Sequence, residues 1–237
     1  MLREVFDRGD EVEVKVPKVS INSERVSNKS VERPTKFSSM VGTSFDVYAP
    51  KLKKFEGGYS NVKGDRGGAT YKGVTLKTYR SFFGSDKTVK DLKSMTEEQW
   101  RKIMTSYWNA CHAGEMVNQS VAELIVDWAI NSGPKTVIKI VQRILGVEDD
   151  GVVGTETINA VNNASQVWLF EEIKRSRIKF YQELVQKDHS QQKFLTGWLN
   201  RVNSFTFVDQ DTSILLAKTS SKSESVTVFG SGNVNRR

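Results

Sequence analysis

Two carboxyl side chains, Glu56 and Asp65, stand nine positions apart in a glycine-rich stretch and have contrasting neighbours. Glu56 lies between Phe55 and Gly57-Gly58-Tyr59, where aromatic side chains should exclude water, and loss of water raises the pKa of a carboxyl group. Asp65 lies among Lys, Arg and Gly residues and should stay ionised. A glycosidase uses such a pair: a protonated carboxyl protonates the leaving oxygen, while an ionised one positions water or stabilises developing positive charge.

Thr70 is the third candidate, because its hydroxyl could help to hold the attacking water near Asp65. Asp65 also has a structural interpretation, since Asp is frequent in glycine-containing turns and Arg66 beside it could form a loop ion pair. The residue types alone therefore leave the role of Asp65 open.

The element that must position Glu56 is a predicted helix with apolar residues at helical spacing, namely Phe45, Tyr48, Leu52 and Phe55. Ser44 could cap this helix, and Pro50 is compatible with it only within the first turn. Glu56 would then occupy the last turn, where the carbonyl end of the helix dipole also raises the pKa of a carboxyl group. The glycines that follow predict the end of the helix.

The remaining elements predict an α+β fold that is mainly α-helical. The pieces Ala69-Thr70-Tyr71 and Val74-Thr75-Leu76 predict a small hairpin in a glycine-rich lobe. Apolar periodicity predicts helices that begin near five polar or charged residues and a last helix around residues 194–202. The five residues are Thr96 and Ser120, each with a capping-box pattern, Lys135, Thr155 and Ser165. A cleft between the lobe and the helical body could hold a polymer.

Composition narrows the function classes. Residues 46–102 hold thirteen Lys and Arg against seven Asp and Glu, which places six of the seven net positive charges around Glu56. Such a surface would attract an anionic polymer, either cell wall or nucleic acid. A cysteine peptidase is disfavoured because Cys111 and His112 are adjacent on one helix and do not face each other. One cysteine and two histidines leave too few ligands for a zinc amidase, and we expect no metal and no cofactor.

Three segments resemble the signature of glycoside hydrolase family 108, the lysozyme-like N-acetylmuramidases found in phage and prophage-derived genes. They are Glu56-Gly57-Gly58-Tyr59-Ser60-Asn61, Asp65-Arg66-Gly67-Gly68-Ala69-Thr70 and Lys72-Gly73-Val74-Thr75. The Tyr107-Trp108 pair and the segment from Asp127 to Pro134 also resemble family features. Ile140–Val147 and Asp150–Gly154 are similar to a predicted peptidoglycan-binding helical module. The resemblance extends over residues 45–202.

The resemblance implies a lysozyme-like fold with the catalytic residues Glu56, Asp65 and Thr70. It also implies that five residues line the sugar cleft, and these are Tyr59, Asn61, Tyr107, Trp108 and Asn131. On the apolar stripe of their helix, Tyr107 and Trp108 could instead be core aromatics, and Asn131 could simply cap its helix. The implied domains are a catalytic domain at 45–132 and a helical module at 133–205, between an extended or disordered arm at 1–44 and a tail at 206–237.

The resulting hypothesis is a peptidoglycan hydrolase that cleaves the glycan strand by general acid catalysis from Glu56, with a transglycosylase outcome also open. The alternatives are a wall-binding or virion structural protein with little activity, and a basic nucleic-acid binder. The expected partner is peptidoglycan, and the two arms could dock the enzyme to a virion or secretion assembly. We expect synthesis in the bacterial cytoplasm without a signal peptide, and access to the wall through lysis, a pore or a virus particle.

Overall fold

The computed structural model describes residues 42–55, 57–61 and 68–209. In these ranges a body of helices carries one small sheet, which confirms the predicted α+β, mainly helical fold. The helices are α1 (Phe45–Lys54), α2 (Leu76–Phe83), α3 (Val89–Lys93), α4 (Glu97–Ala110), α5 (Gln119–Ser132), α6 (Pro134–Leu145), α7 (Thr155–Asn163), α8 (Gln166–Lys187) and α9 (Gln192–Asn203), and the strands are β1 (Thr70–Tyr71) and β2 (Val74–Thr75). The predicted arms fall largely on residues 1–41 and 210–237, which lie outside the described residues.

Helix α1 begins as predicted, because the Ser44 side chain caps it by accepting a hydrogen bond from the Asp46 backbone N–H at 3.1 Å. Two expectations about this helix are wrong. Pro50 is its sixth residue and not part of the first turn. The missing N–H leaves the Asp46 carbonyl without its helical donor, which is tolerable because both residues are exposed to water. The helix also ends at Lys54, so Glu56 comes after its last turn.

The predicted hairpin is confirmed. Strands β1 and β2 are antiparallel, with Thr70 opposite Thr75 and Tyr71 opposite Val74. The two residues between the strands, Lys72 and Gly73, have φ values of 47° and 74°, and positive φ at both positions is what a tight type I′ turn requires. The Trp100 indole N–H donates to the Lys72 carbonyl at 3.2 Å, so the turn is fixed to α4.

Local capping patterns predicted some helix starts and missed others. The Thr96 capping box is confirmed, since Thr96 and Gln99 exchange side-chain to backbone hydrogen bonds of 3.2 and 3.0 Å. The predicted Ser120 cap is wrong: the side chain of Asn118 caps α5, and the Ser120 hydroxyl accepts from the Val208 N–H instead. The predicted Thr155 cap is also wrong, because Thr155 is the first residue of α7.

Two helices, α2 and α3, were not predicted. The signal for α3 is present in the sequence, because Thr88 and Asp91 form a capping box at its start. Helix α2 begins directly after β2 with Thr75 as its cap, so the predicted strand piece at residues 74–76 conceals its start.

Helix α5 forms the centre of the molecule and is buried over nearly its whole length. It packs against α4, α6 and α8, and α9 packs on α8. Gly133, with φ of 81°, ends α5, and Pro134 starts α6 at once. The amino-terminal and carboxyl-terminal halves therefore share one continuous core. None of the helices in the described ranges is long and apolar enough to span a membrane.

Candidate functional site

Glu56 and Asp65 lie outside the described residues, so the site is defined by what surrounds them. Phe55 ends the described segment before Glu56, and Gly57 begins the one after it. Phe55 is half-buried at the end of α1, and its backbone N–H donates to the Leu52 carbonyl at 3.1 Å. Gly58 is exposed, and a side chain added to it would meet no atom within 4 Å. The described chain thus has a packed helix end just before Glu56 and an exposed glycine two positions after it.

An open pocket of about 370 Å³ lies at this point of the chain. Three elements form it: the end of α1, the hairpin and the start of α4. The lining residues are Lys53, Gly57, Gly58, Tyr71, Lys72 and Glu97. A pocket of this size between a helical body and a small lobe could accommodate a sugar ring of a longer polymer.

Two lysine side chains, Lys53 and Lys72, line the pocket. Lys53 forms an ion pair with Glu97, and its ammonium group lies 5.2 Å from the centroid of the Trp100 ring. The Lys72 ammonium lies 5.5 Å from the centroid of the Tyr71 ring. These groups offer positive charge and an aromatic face to an anionic carbohydrate. The sequence analysis gave no site role to the four lining side chains, Lys53, Tyr71, Lys72 and Glu97, although Lys53 stands three residues before Glu56.

Three predicted site residues lie on the lobe. Tyr59 is exposed, and the Lys93 ammonium lies 3.8 Å from the centroid of its ring. Asn61 is also exposed and follows Ser60, whose backbone pairs with that of Thr70 through two hydrogen bonds of 2.8 Å. Thr70 is buried, and its hydroxyl donates to the Gly68 carbonyl at 3.1 Å. The structure therefore brings Tyr59, Asn61 and Thr70 onto one lobe.

The other three predicted sugar-binding residues lie on α4 and α5, and two of them are buried. Tyr107 is half-buried on α4. Trp108 is buried against Phe45 and Tyr48, with ring centroids 6.0 and 6.2 Å apart. Asn131 is 1% exposed, and its amide donates to the Tyr181 hydroxyl at 3.3 Å. Because Trp108 and Asn131 are core residues without a solvent-facing surface, the expectation that they line the cleft is corrected.

The molecule has a second carboxylate centre that the sequence did not reveal. Asp127, in the middle of α5, is completely buried and accepts hydrogen bonds from three side chains. The Tyr48 hydroxyl donates at 2.7 Å, Arg177 Nη2 at 2.7 Å, and Arg201 Nε at 2.9 and 3.1 Å to the two oxygens. These donors come from α1, α8 and α9, so Asp127 ties both halves of the chain together.

Electrostatics keeps Asp127 ionised in spite of its position. Burial alone would raise its pKa, but the guanidinium groups of Arg201 and Arg177, with hydrogen bonds from Arg201 and Tyr48, hold it well below the ordinary value. The pKa of Tyr48 is raised, first by burial and then by the Asp127 charge. A carboxylate in this state is a permanent anion and has no proton to donate.

Cys111 also lacks the exposure and the lowered thiol pKa that a catalytic cysteine needs. It is fully buried, and burial raises the pKa of its thiol to about 12. A nucleophilic cysteine requires a lowered pKa and access to substrate. The cysteine-peptidase alternative therefore has no support at this position.

Comparisons with known proteins agree with these features. Residues 49–133 match the family glycosyl hydrolase 108, and residues 136–203 match a predicted peptidoglycan domain. The chain is a glycoside hydrolase that carries a family 108 domain at residues 49–133. In this hydrolase the first match contains the pocket and the lobe, and the second contains α7, α8, α9 and most of α6. The order of the two matches supports peptidoglycan as the polymer that the enzyme hydrolyses.

The similar solved structures include one that matches over most of the hydrolase. Brucella abortus SagA is 29% identical in sequence, with a TM-score of 0.61. The match covers 68% of this chain and 91% of the SagA chain. A search among curated proteins finds no match. The similarity to SagA therefore supports the fold of both halves taken together.

Proposed function

We propose that the enzyme is an N-acetylmuramidase that cleaves the glycan strand of peptidoglycan, with Glu56 as the general acid. The observation that carries this proposal is the open pocket lined by Gly57 and Gly58, the two residues that follow Glu56. It lies within the glycosyl hydrolase 108 match, and a predicted peptidoglycan domain follows in the chain. A general acid must be within hydrogen-bonding reach of the oxygen that it protonates, so a glutamate beside a sugar-sized pocket suits the role.

The proposed mechanism divides the chemistry between two carboxyl groups. Glu56 protonates the glycosidic oxygen as the bond breaks, and Asp65 positions water or stabilises the oxocarbenium-like charge. Thr70 stays in the proposal as a residue near this water, although its hydroxyl has a backbone partner in the structure. Whether hydrolysis inverts or retains the anomeric configuration depends on the distance between Glu56 and Asp65.

The substrate would be held by the pocket and the exposed lobe. Tyr71 and Tyr59 offer aromatic faces to sugar rings, and Asn61 offers an amide for their hydroxyls. Lys53 and Lys72 would attract carboxylates, which the wall polymer carries on its muramic acid and peptides. Tyr107 remains a proposed cleft residue on the grounds of family resemblance. We no longer include Trp108 and Asn131.

The domain boundaries and the route to the wall belong to the same proposal. A catalytic domain at 45–132 precedes a helical module at 133–205, and the arms at 1–44 and 206–237 dock the enzyme to a larger assembly. Residues 42–44 and 206–208 already contact the body, since Gln119 bonds the Ser44 backbone and Phe207 packs on Phe170. Phage or prophage origin would supply the route across the membrane by lysis or within a virus particle.

Mass spectrometry of sacculus digests tests the reaction and the residue together. Wild-type enzyme should release fragments with reducing-end muramic acid, and Glu56→Gln should release none. Glu98→Gln is the matched control, because Glu98 is exposed on α4 and does not line the pocket. Fragments with anhydro-muramic ends would show instead that the enzyme is a transglycosylase. Equal product from wild type and Glu56→Gln would reject Glu56 as the acid, and no product from well-folded wild type would favour a wall-binding or virion structural protein.

A further inference from the structure

Phe55, the residue immediately before Glu56, is held by side chains of the carboxyl-terminal half. Its ring stacks on the ring of Phe205, with centroids 6.1 Å apart and planes 14° from parallel. The Arg201 guanidinium carbon lies 4.3 Å from the centroid of the same Phe55 ring. Arg201 is on α9 and Phe205 is two residues beyond its end, so both come from the part of the chain that follows Gly133. The helix that leads to Glu56 therefore ends on a surface that the second half provides.

This surface is itself fixed. Arg201 donates to both oxygens of Asp127, and both side chains are buried. The Lys174 ammonium donates to the Phe205 carbonyl at 2.9 Å, which ties the segment after α9 to α8. The Arg177 guanidinium carbon lies 6.0 Å from the centroid of the Phe205 ring. Neither Phe205 nor Arg201 can move without disturbing contacts in the core.

The other side of Glu56 offers little constraint. Gly57 and Gly58 have no side chains, and Gly58 has open space around its α-carbon. Glycine restricts the backbone less than any other residue. Phe55 is therefore the described side chain next to Glu56 in the sequence that packs against the body.

We propose that Phe205 and Arg201 are positioning residues for the general acid, so that the carboxyl-terminal module completes the active site in addition to any contact with the wall. This inference rests on the proposed role of Glu56. Phe205 and Arg201 pack on the Phe55 ring, and this contact fixes the end of α1. The end of α1 would in turn set the position of the next residue, Glu56. Catalysis is sensitive to errors of about 1 Å in such positions, which cost roughly 100-fold in rate.

A pair of matched substitutions tests the proposal in the full-length enzyme. Phe205→Leu keeps an apolar side chain but removes the ring that stacks on Phe55. Phe207→Leu is the control, because Phe207 lies two residues further on and packs on Phe170, with centroids 5.7 Å apart. We expect Phe205→Leu to lower kcat on soluble, uncrosslinked glycan strands by about tenfold or more, while KM stays near wild type. Phe207→Leu should retain wild-type kcat, with a similar shift in Tm. Equal kcat for the two variants would overturn the proposal.

A double-mutant cycle keeps the test decisive if Phe205→Leu folds poorly. Phe55→Leu should lower kcat as Phe205→Leu does, and the double variant should lose little more than either one, because the second substitution removes a contact already lost. The Phe55→Leu and Phe207→Leu pair should be additive. Additive losses for Phe55 and Phe205 would overturn the proposal. Glu56→Gln in the same assay separates the two claims. If Glu56→Gln remains active, the proposed function fails. If Glu56→Gln is inactive and the Phe205→Leu and Phe207→Leu variants have equal kcat, only the positioning role is rejected.

Discussion

The molecule contains two regions built around carboxyl groups, and their surroundings are opposite. Asp127 lies in the interior, where Tyr48, Arg177 and Arg201 approach it from three helices. The pocket after Glu56 is open and bordered by glycine, and the Lys53 and Glu97 side chains that form its ion pair are exposed to water. The first region has many fixed contacts and no access. The second has access and few fixed contacts.

The difference shows that a strongly perturbed carboxyl group need not mark an active site. The shifted pKa of Asp127 follows from a buried ion network that joins α1, α5, α8 and α9. Arg177 and Arg201 each have one nitrogen, Nη1, without a hydrogen-bond partner in the described residues. The network therefore forms at a cost, because these buried nitrogens lose the water that would solvate them in the unfolded chain. A cluster of this kind holds elements in place, whereas a site needs a reachable group beside a cavity.

The largest expected effect is on stability, from Asp127→Asn. The substitution keeps the shape of the side chain but leaves two buried guanidinium groups without a counter-charge, which should lower the free energy of unfolding by about 3–5 kcal/mol. Asp46→Asn is the control, because its ion pair with Arg101 is exposed and should be worth less than about 1 kcal/mol. Urea denaturation followed by circular dichroism measures both. A loss below about 1 kcal/mol for Asp127→Asn would show that the cluster does not hold the two halves together.

The pH dependence of stability gives a second test of the same cluster. The pKa of Asp127 is lowered in the folded protein, so below the ordinary Asp value of about 3.9 the unfolded chain takes up a proton that native Asp127 does not. Its contribution should therefore be complete above that pH and decline as the pH falls further. The difference in urea midpoint between wild type and Asp127→Asn should be constant above about pH 5 and should narrow, without vanishing, as the pH falls to about 3. A constant difference over this range would contradict the assigned cause.

At the open region we expect an effect on substrate binding and none on folding. Gly58→Leu would add a side chain at a residue that lines the pocket, where an added Cβ has no described atom within 4 Å. The apparent KM for glycan strands should rise by about tenfold as the pocket fills, with Tm unchanged. Gly197→Leu on the exposed face of α9, also in open space, should leave KM at the wild-type value. Unchanged KM for Gly58→Leu would place the glycan elsewhere on the surface.

The smallest effect is expected for Cys111→Ala. The thiol is buried and its pKa is raised to about 12, so the residue should act only as part of the core. Glycan cleavage should remain at the wild-type rate, and the free energy of unfolding should fall by about 1 kcal/mol. Loss of activity without loss of stability would support a catalytic role for Cys111.

The sequence predicted those features that depend on neighbouring residues. The hairpin follows from Gly73 between two strand-like pieces, and the start of α4 follows from Thr96 and Gln99. Contacts between distant segments were not predictable. Asp127 meets Arg177 and Arg201 from 50 and 74 positions away, and no local pattern announces such partners.

The same reason explains the errors at the site. Trp108 and Asn131 occupy helical positions that could face a cleft or a core, and the packing of α1 and α8 decides which. Pro50 was expected in the first turn, but an exposed helix face allows it in the sixth position, because the Asp46 carbonyl that loses its helical donor belongs to an exposed residue. Glu56 and Asp65 were predicted from residue type and family resemblance, and their roles stay predictions.

The rate of glycan cleavage by Glu56→Gln tests the central proposal most directly. Initial rates of reducing-end release from purified sacculi would be compared for wild type, Glu56→Gln and Glu98→Gln, with Tm measured for each. Loss of a general acid should lower the rate by about 100-fold or more at unchanged Tm, while Glu98→Gln keeps the wild-type rate. A Glu56→Gln rate within about twofold of wild type would contradict the assignment, since general acid catalysis contributes far more than that.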